Sequence, residues 1–229
     1  MKQQHNGRLK FIKNVTLAGI GIGLSGPLFS SYRRENLMEK RRVGMIGLDS
    51  SHATSFAKLL NAPDVGDTYG GFKIVAAYPK GSTDIKSSAE RIAEYTSKVK
   101  EYGVEIVDSI EALLKNTDVV LLITNDGRLH LEQALPVIKA KMPLYIDKPM
   151  TASLKDAIAI FDAAKQHSVP VFSSSSLRFV ANLQEVAHGK FGKVLGADTF
   201  SPASLEKHHP DLFWYGIHAG EILYTAMGT

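Results

Sequence analysis

The 229-residue sequence has no cysteine, so neither disulfides nor thiolate metal sites shape the fold, and thiol chemistry gives no clue to a compartment. It also lacks positive charge where a nucleic-acid surface would need it. The formal net charge is +4, yet nine of the 27 Lys and Arg and only two of the 23 acids lie in residues 1–42. The remainder sets 18 basic against 21 acidic side chains, a net of −3. The basicity belongs to the start of the chain, which excludes a nucleic-acid partner as the main reading. Long apolar runs are missing too: VTLAGIGIGLSGPLF is too short and too rich in glycine to span a bilayer stably. What is present, 44% hydrophobic and 22% charged residues, is the composition of a chain that buries a core, which excludes general disorder.

Residues 1–31 have the order of an export signal. Lys2, Arg8, Lys10 and Lys13, with no acid before Glu35, precede the weakly apolar segment. RLKFIK resembles a twin-arginine leader with Leu9 in the place of the second arginine. No A-x-A cleavage site is visible. Processing points lie in SGPLFSS, so the mature chain is expected to begin near Tyr32, in the periplasm and with no membrane span. A cytoplasmic protein with a disordered tail is the alternative. Residues 32–42, YRRENLMEKRR, read as a basic linker.

From residue 43, apolar runs of strand length alternate with stretches of helical period. VGMIGL, FKIVAAY, VVLLIT, LYI and VPVFSS read as strands, apolar throughout rather than alternating. Between them, ATSFAKLLNA places Phe56, Leu59 and Leu60 on one helical face, and SSAERIAEYTSKVKEYG places Ile92, Tyr95, Val99 and Tyr102 on another. SIEALLKN is a short helix, and LHLEQALPVIKAK a longer one that Pro136 is expected to kink or restart. SLKDAIAIFDAAKQH starts with Ser153 as N-cap and Asp156 in its first turn. The alternation predicts an α/β fold with a parallel, doubly wound sheet over residues 43–176 and ligand at the carboxyl ends of its strands. Near Ser176 the pattern changes. KVLGADTFS is expected as a half-exposed strand and DLFWYGIHAGEILYTAMGT as an amphipathic helix, so residues 177–229 read as the incomplete start of an α+β second domain.

The first strand-to-helix turn is where a phosphate loop belongs, but of the three glycines of G-x-G-x-x-G only Gly47 is there. Asp49 and His52 occupy the other two places. The loop LDSSH can still offer backbone N–H groups and the hydroxyls of Ser50 and Ser51 to a phosphate, whereas Asp49 would repel one. A polar turn with a serine cap is the simpler reading of the same residues. After the second strand, AAYPKGS has no acid for ribose hydroxyls. Lys80 and Ser82 could instead meet a 2′-phosphate, favouring NADP over NAD. His208 and His209, adjacent and pointing apart, do not make a metal site, and no metal is expected.

Four elements in order carry a resemblance. Thr124 and Asn125 are followed by His130; Asp147, Lys148 and Pro149 follow a strand; Arg178 and Phe179 end the next; and GKFGKV comes after them. In this order and spacing residues 43–229 resemble the first half to two-thirds of a member of the family of glucose-fructose oxidoreductase, inositol dehydrogenase and MocA. The resemblance implies a Rossmann domain holding NADP or NAD and hydride transfer at a hydroxyl carbon of a sugar or cyclitol. The implied small-molecule partner is a carbohydrate, and a full-length member is expected to be a homo-oligomer. Lys148 and His218 are the implied proton-handling residues. Gly47, Asp49, Ser50, Ser51, His52, Lys80, Thr124, Asn125, His130, Asp147, Lys148 and Arg178 are placed around the cofactor. Asp147 stands where glutamate is usual, and Trp214 where many relatives have the aspartate that orients the histidine, leaving Glu221 or Asp211 to take over. Phe213, Trp214 and Tyr215 read either as a wall for a sugar ring or as a packing stripe. Two alternatives stay open: an NAD-dependent glycosidase of the same family, and a non-catalytic, truncated homologue.

Overall fold

The computed structural model describes residues 42–228, so the leader and the linker expectation up to residue 41 lie outside the described residues, while Arg42, expected as the end of the linker, already belongs to the first strand. Six strands form one parallel sheet: β1 (Arg42–Ile46), β2 (Lys73–Tyr78), β3 (Glu105–Ile106), β4 (Val119–Leu122), β5 (Leu144–Ile146) and β6 (Val171–Ser173). Their spatial order is β3-β2-β1-β4-β5-β6, so the chain winds one way from β1 and then the other, with the reversal between β1 and β4. Ile46 registers with Leu122 and Leu122 with Ile146, which brings the carboxyl ends of these three strands level.

Helices cover both faces. α1 (Ser51–Asn61) and α3 (Ile92–Glu101) lie on one, where Val43, Met45, Leu48, Ala57, Leu60 and Val99 form a closed core. α4 (Ile110–Leu114), α5 (His130–Lys139) and α6 (Leu154–His167) lie on the other, around Ile46, Leu113, Leu122, Val137, Ile138 and Ile160. With both faces buried, strands apolar at every position are what the sheet requires. Polar side chains fix the helix ends. Ser153 accepts the Asp156 N–H to cap α6, and Asn61 at the end of α1 bonds the Ile74 N–H and the carbonyls of Ile74 and Tyr102.

Several elements differ from expectation. α5 runs through Pro136 as one helix rather than restarting there. The helix expected over residues 87–103 is preceded by a short α2 (Lys86–Ala89), with Glu90 and Arg91 at the junction. β3 is only two residues long, below the length at which hydrophobic periodicity can register. After β6 come a 3-10 turn (Ser176–Phe179), α7 (Ala181–Ala187) and α8 (Ile217–Met227), which packs on both. The strand expected in KVLGADTFS is not formed: no described residue pairs with this stretch, and an extended segment without a ladder partner is not a strand. The expected helix starts only at Ile217, residues 211–216 forming turns that carry Trp214 and Tyr215 to the sheet.

Candidate active site

At the carboxyl ends of β1, β4 and β5 lies a cavity of about 300 Å³, the lower end of the range for small-molecule sites. The sheet domain contributes Ser50, Ser51, His52, Ser87, Arg91, Asn125 and Lys148 to its lining, and the segment after β6 contributes Ser176, Trp214, Tyr215 and His218.

Gly47 opens the site. Its φ of +87° turns the chain sharply after β1, and a Cβ there would lie 2.4 Å from the Thr124 backbone nitrogen. The chain then enters α1 with Ser50 as N-cap, its Oγ accepting the His52 N–H at 3.2 Å. Asp49, expected at the cofactor, is turned inward instead. Fully buried, it accepts the N–H groups of Ser82 (3.0 Å) and Asn125 (2.9 Å) and so ties together the loops after β1, β2 and β4. Burial pushes its carboxyl above the ordinary aspartate value, against the effect of those two donors. The repulsion expected between Asp49 and a phosphate therefore does not arise.

The β2 loop corrects a second expectation. Ser82 is buried with its Oγ on Asp84 and Asp126, and Lys80 reaches outward to Glu132 at 3.7 Å, so neither lines the cavity. Their place at the cavity wall is taken by Ser87 and Arg91, which sequence reasoning missed. The signal was AERIAEY, with an arginine beside the start of a helix, and it reads equally as a solvated face.

Thr124 and His130 also stand behind the lining. Thr124 donates its hydroxyl to Gln133, and His130 sets its ring between the carbonyl oxygens of Thr124 and Met150, holding the β4 and β5 loops together. Arg178 does not reach the cavity. Its Nε donates to Glu221 at 2.5 Å, joining the 3-10 turn to α8 and leaving Glu221 unavailable to His218. The partner of His218 is Ser175, whose Oγ lies 2.7 Å from Nδ1. Burial, followed by the charge of Lys148, holds the His218 imidazole below its ordinary proton affinity.

Lys148 is 9% exposed, follows β5, and precedes a cis bond to Pro149. Its ammonium stands over the rings of Tyr215 (5.0 Å) and Trp214 (5.8 Å), and all three side chains line the cavity, so the aromatic rings hold the lysine by cation–π contact within it. Beside it Asp147 is 2% exposed and engages both His52 Nδ1 and the Tyr145 hydroxyl. Burial, the largest single influence, would raise the Asp147 carboxyl, but the charge and hydrogen bond of His52 together with the charge and backbone N–H of Lys148 outweigh it and the net shift is downward. Outside the cavity, His208 bonds Glu206 at 2.5 Å while His209 packs tilted against Trp214, 4.8 Å between ring centroids, and accepts the Gly127 N–H at 3.1 Å. Among the described residues no three His, Cys, Asp or Glu side chains are grouped to hold a metal ion.

The lining fits a phosphorylated nucleotide: a helix N-terminus, several hydroxyls, an arginine and a lysine converge, and no described lining residue is acidic. Strand order, glycine turn and cavity position together define a Rossmann-type dinucleotide-binding fold. A sequence model of the Gfo/Idh/MocA group, the oxidoreductase family with an NAD-binding Rossmann fold, matches residues 41–175, and the chain belongs to this family. It is similar to a 1,5-anhydro-D-fructose reductase of Ensifer adhaerens, 30% identical over 130 residues that make up 54% of this chain and 38% of that protein. An oxidoreductase of Synechocystis is 33% identical over 102 residues, 44% of this chain and 26% of that one. Among solved structures, a Thermotoga maritima protein described as a probable dehydrogenase superposes with a TM-score of 0.60 at 21% identity, covering 82% of this chain and 55% of the other. The chain thus spans well under half the length of these two sequence relatives.

Proposed function

We propose that this chain carries the cofactor half and part of the substrate half of an NAD(P)-dependent oxidoreductase acting at a hydroxyl or carbonyl carbon of a sugar or cyclitol. The observation that carries this reading is Lys148: a nearly buried ammonium with no carboxylate on it, aimed into a cavity at the carboxyl end of β5. A bound nicotinamide dinucleotide supplies the hydride chemistry. Ser50 and Ser51 at the start of α1 hold its phosphates, and Asn125 orients it from β4. Arg91 and Ser87 offer a guanidinium and a hydroxyl to a 2′-phosphate, which supports NADP in place of the Lys80 and Ser82 pairing expected from sequence.

Lys148 hydrogen-bonds the substrate oxygen at the reacting carbon and takes or returns its proton. His218, fixed through Nδ1 by Ser175, is the second group able to exchange that proton with solvent. A name within the family points to a sugar-derived substrate: the Ensifer relative is a 1,5-anhydro-D-fructose reductase. The test is reduction of NADP or NAD on a panel of sugars and cyclitols, run in reverse with 1,5-anhydro-D-fructose and NADPH. Turnover with at least one substrate, lost at least a hundredfold in Lys148→Met with dinucleotide affinity retained, is the expected result. Turnover unchanged in Lys148→Met would remove the lysine from the chemistry.

A further inference from the structure

Of the two imidazoles lining the cavity, only His52 is held by a carboxylate. Its Nδ1 lies against Asp147, whose second oxygen accepts the Tyr145 hydroxyl at 3.1 Å. Phe56, one turn further along α1, sets its ring edge-on to the imidazole at 6.2 Å between centroids. The ring is therefore fixed on two sides while the side chain remains 35% exposed, and Nε2 is the nitrogen left for a ligand. His52 is the second residue of α1 and stands at the third glycine place of G-x-G-x-x-G, so its imidazole sits in the first turn of the helix whose N-terminus faces the cavity.

We propose that His52 is a phosphate-binding residue of the cavity: with Nδ1 anchored on Asp147, its Nε2–H donates to a phosphate oxygen of the bound dinucleotide, and its protonation sets the affinity of the site. This inference rests on the dinucleotide reading above. A neutral ring with Nδ1–H on Asp147 turns the lone pair of Nε2 toward the phosphate, which repels it. The protonated ring offers a charge-assisted donor. Asp147 favours the protonated ring and raises the His52 pKa, outweighing burial and the opposing charge of Lys148. The other titratable groups lining the cavity are Arg91 at the junction of α2 and α3 and Tyr215 and His218 from the C-terminal segment. His218 is shifted in the opposite direction, so the two imidazoles titrate apart.

Calorimetric titration of the full chain from about pH 6 to about pH 9, the range in which imidazoles change charge, tests this with three probes. NADPH is the expected ligand; ADP-ribose has a pyrophosphate but no nicotinamide and no phosphate that titrates in this range; adenosine has no phosphate. NADPH and ADP-ribose are expected to lose affinity on the order of tenfold as pH rises, and adenosine none. In His52→Gln the affinity for ADP-ribose should no longer change with pH, and in Asp147→Asn its fall should move to lower pH. A flat profile in the wild-type protein, or a fall that survives in His52→Gln, would overturn the role of His52 while leaving the dinucleotide reading intact. A folded protein that binds none of the probes would overturn both.

Discussion

Single residues decide whether this cavity works, and the sequence showed some of them more plainly than others. Lys148, Ser50, Ser51, His52, Asn125 and His218 all reach one cavity because each stands at a strand end or helix start, positions that apolar runs reveal. Asp49, Thr124 and His130 stand at equally legible positions but turn into the protein to bond neighbouring loops, and no local pattern states which way a side chain turns. Asp49→Ala leaves two buried N–H groups without an acceptor. A loss of about 3 kcal/mol in denaturant unfolding is expected, and a loss below about 0.5 kcal/mol, the size of an ordinary surface change, would contradict the bracing role. Gly47→Ala is expected to cost at least as much, since the new methyl group meets the Thr124 backbone and the φ of +87° disfavours it. The His52 and Asp147 pair adds a pH signature to stability. His52 binds its proton more tightly in the folded protein, so its contribution is complete below the ordinary 6.5 and is lost as pH rises through the raised folded value. Asp147 is shifted down, so its contribution is present above the ordinary 3.8 and is lost as pH falls through the lowered value. The difference in Tm between wild type and Asp147→Asn should therefore be largest between these limits and shrink on the alkaline side; a difference constant with pH would refute the ion pair.

At the scale of elements, legibility followed length and closure. Strands buried on both faces and helices with one apolar stripe were readable because burial demands those patterns, and Ser153 marked the start of α6 through its side-chain bond to the Asp156 N–H. Ser153→Ala is expected to cost about 1 kcal/mol of stability, with Ser153→Asp retaining most of it. The two-residue β3 was too short to read. Residues 193–201 carry strand-like composition, but pairing is a property of two segments, and no partner is present among the described residues. Arg91 lines the cavity because α2 and α3 meet there, a junction that a single amphipathic pattern running through both concealed.

Across the whole molecule, apolar exposure is uneven. Phe191, Leu195, Phe200, Leu205 and Leu212 are all more than half exposed and lie within one stretch after α7, whereas in the sheet domain, where two clusters bury the core, the exposed large apolar residues are Leu154, Ile158 and Phe161 on α6. Such a stretch promotes association between copies. Sedimentation of the full chain should show mass rising with concentration, and Leu195→Ser with Phe200→Ser should reduce it; a monomer at all concentrations would contradict this. Function of the chain as an oxidoreductase requires that the cavity at the β1 and β4 reversal hold a dinucleotide despite two missing glycines. Trp214, the only tryptophan, forms part of its wall, so titration with NADPH and NADH should quench Trp214 emission and excite the bound nicotinamide by energy transfer. Saturation at micromolar concentration, tighter for NADPH through Arg91, is the predicted result. A folded protein whose Trp214 emission stays unchanged up to millimolar dinucleotide would contradict dinucleotide binding at this cavity.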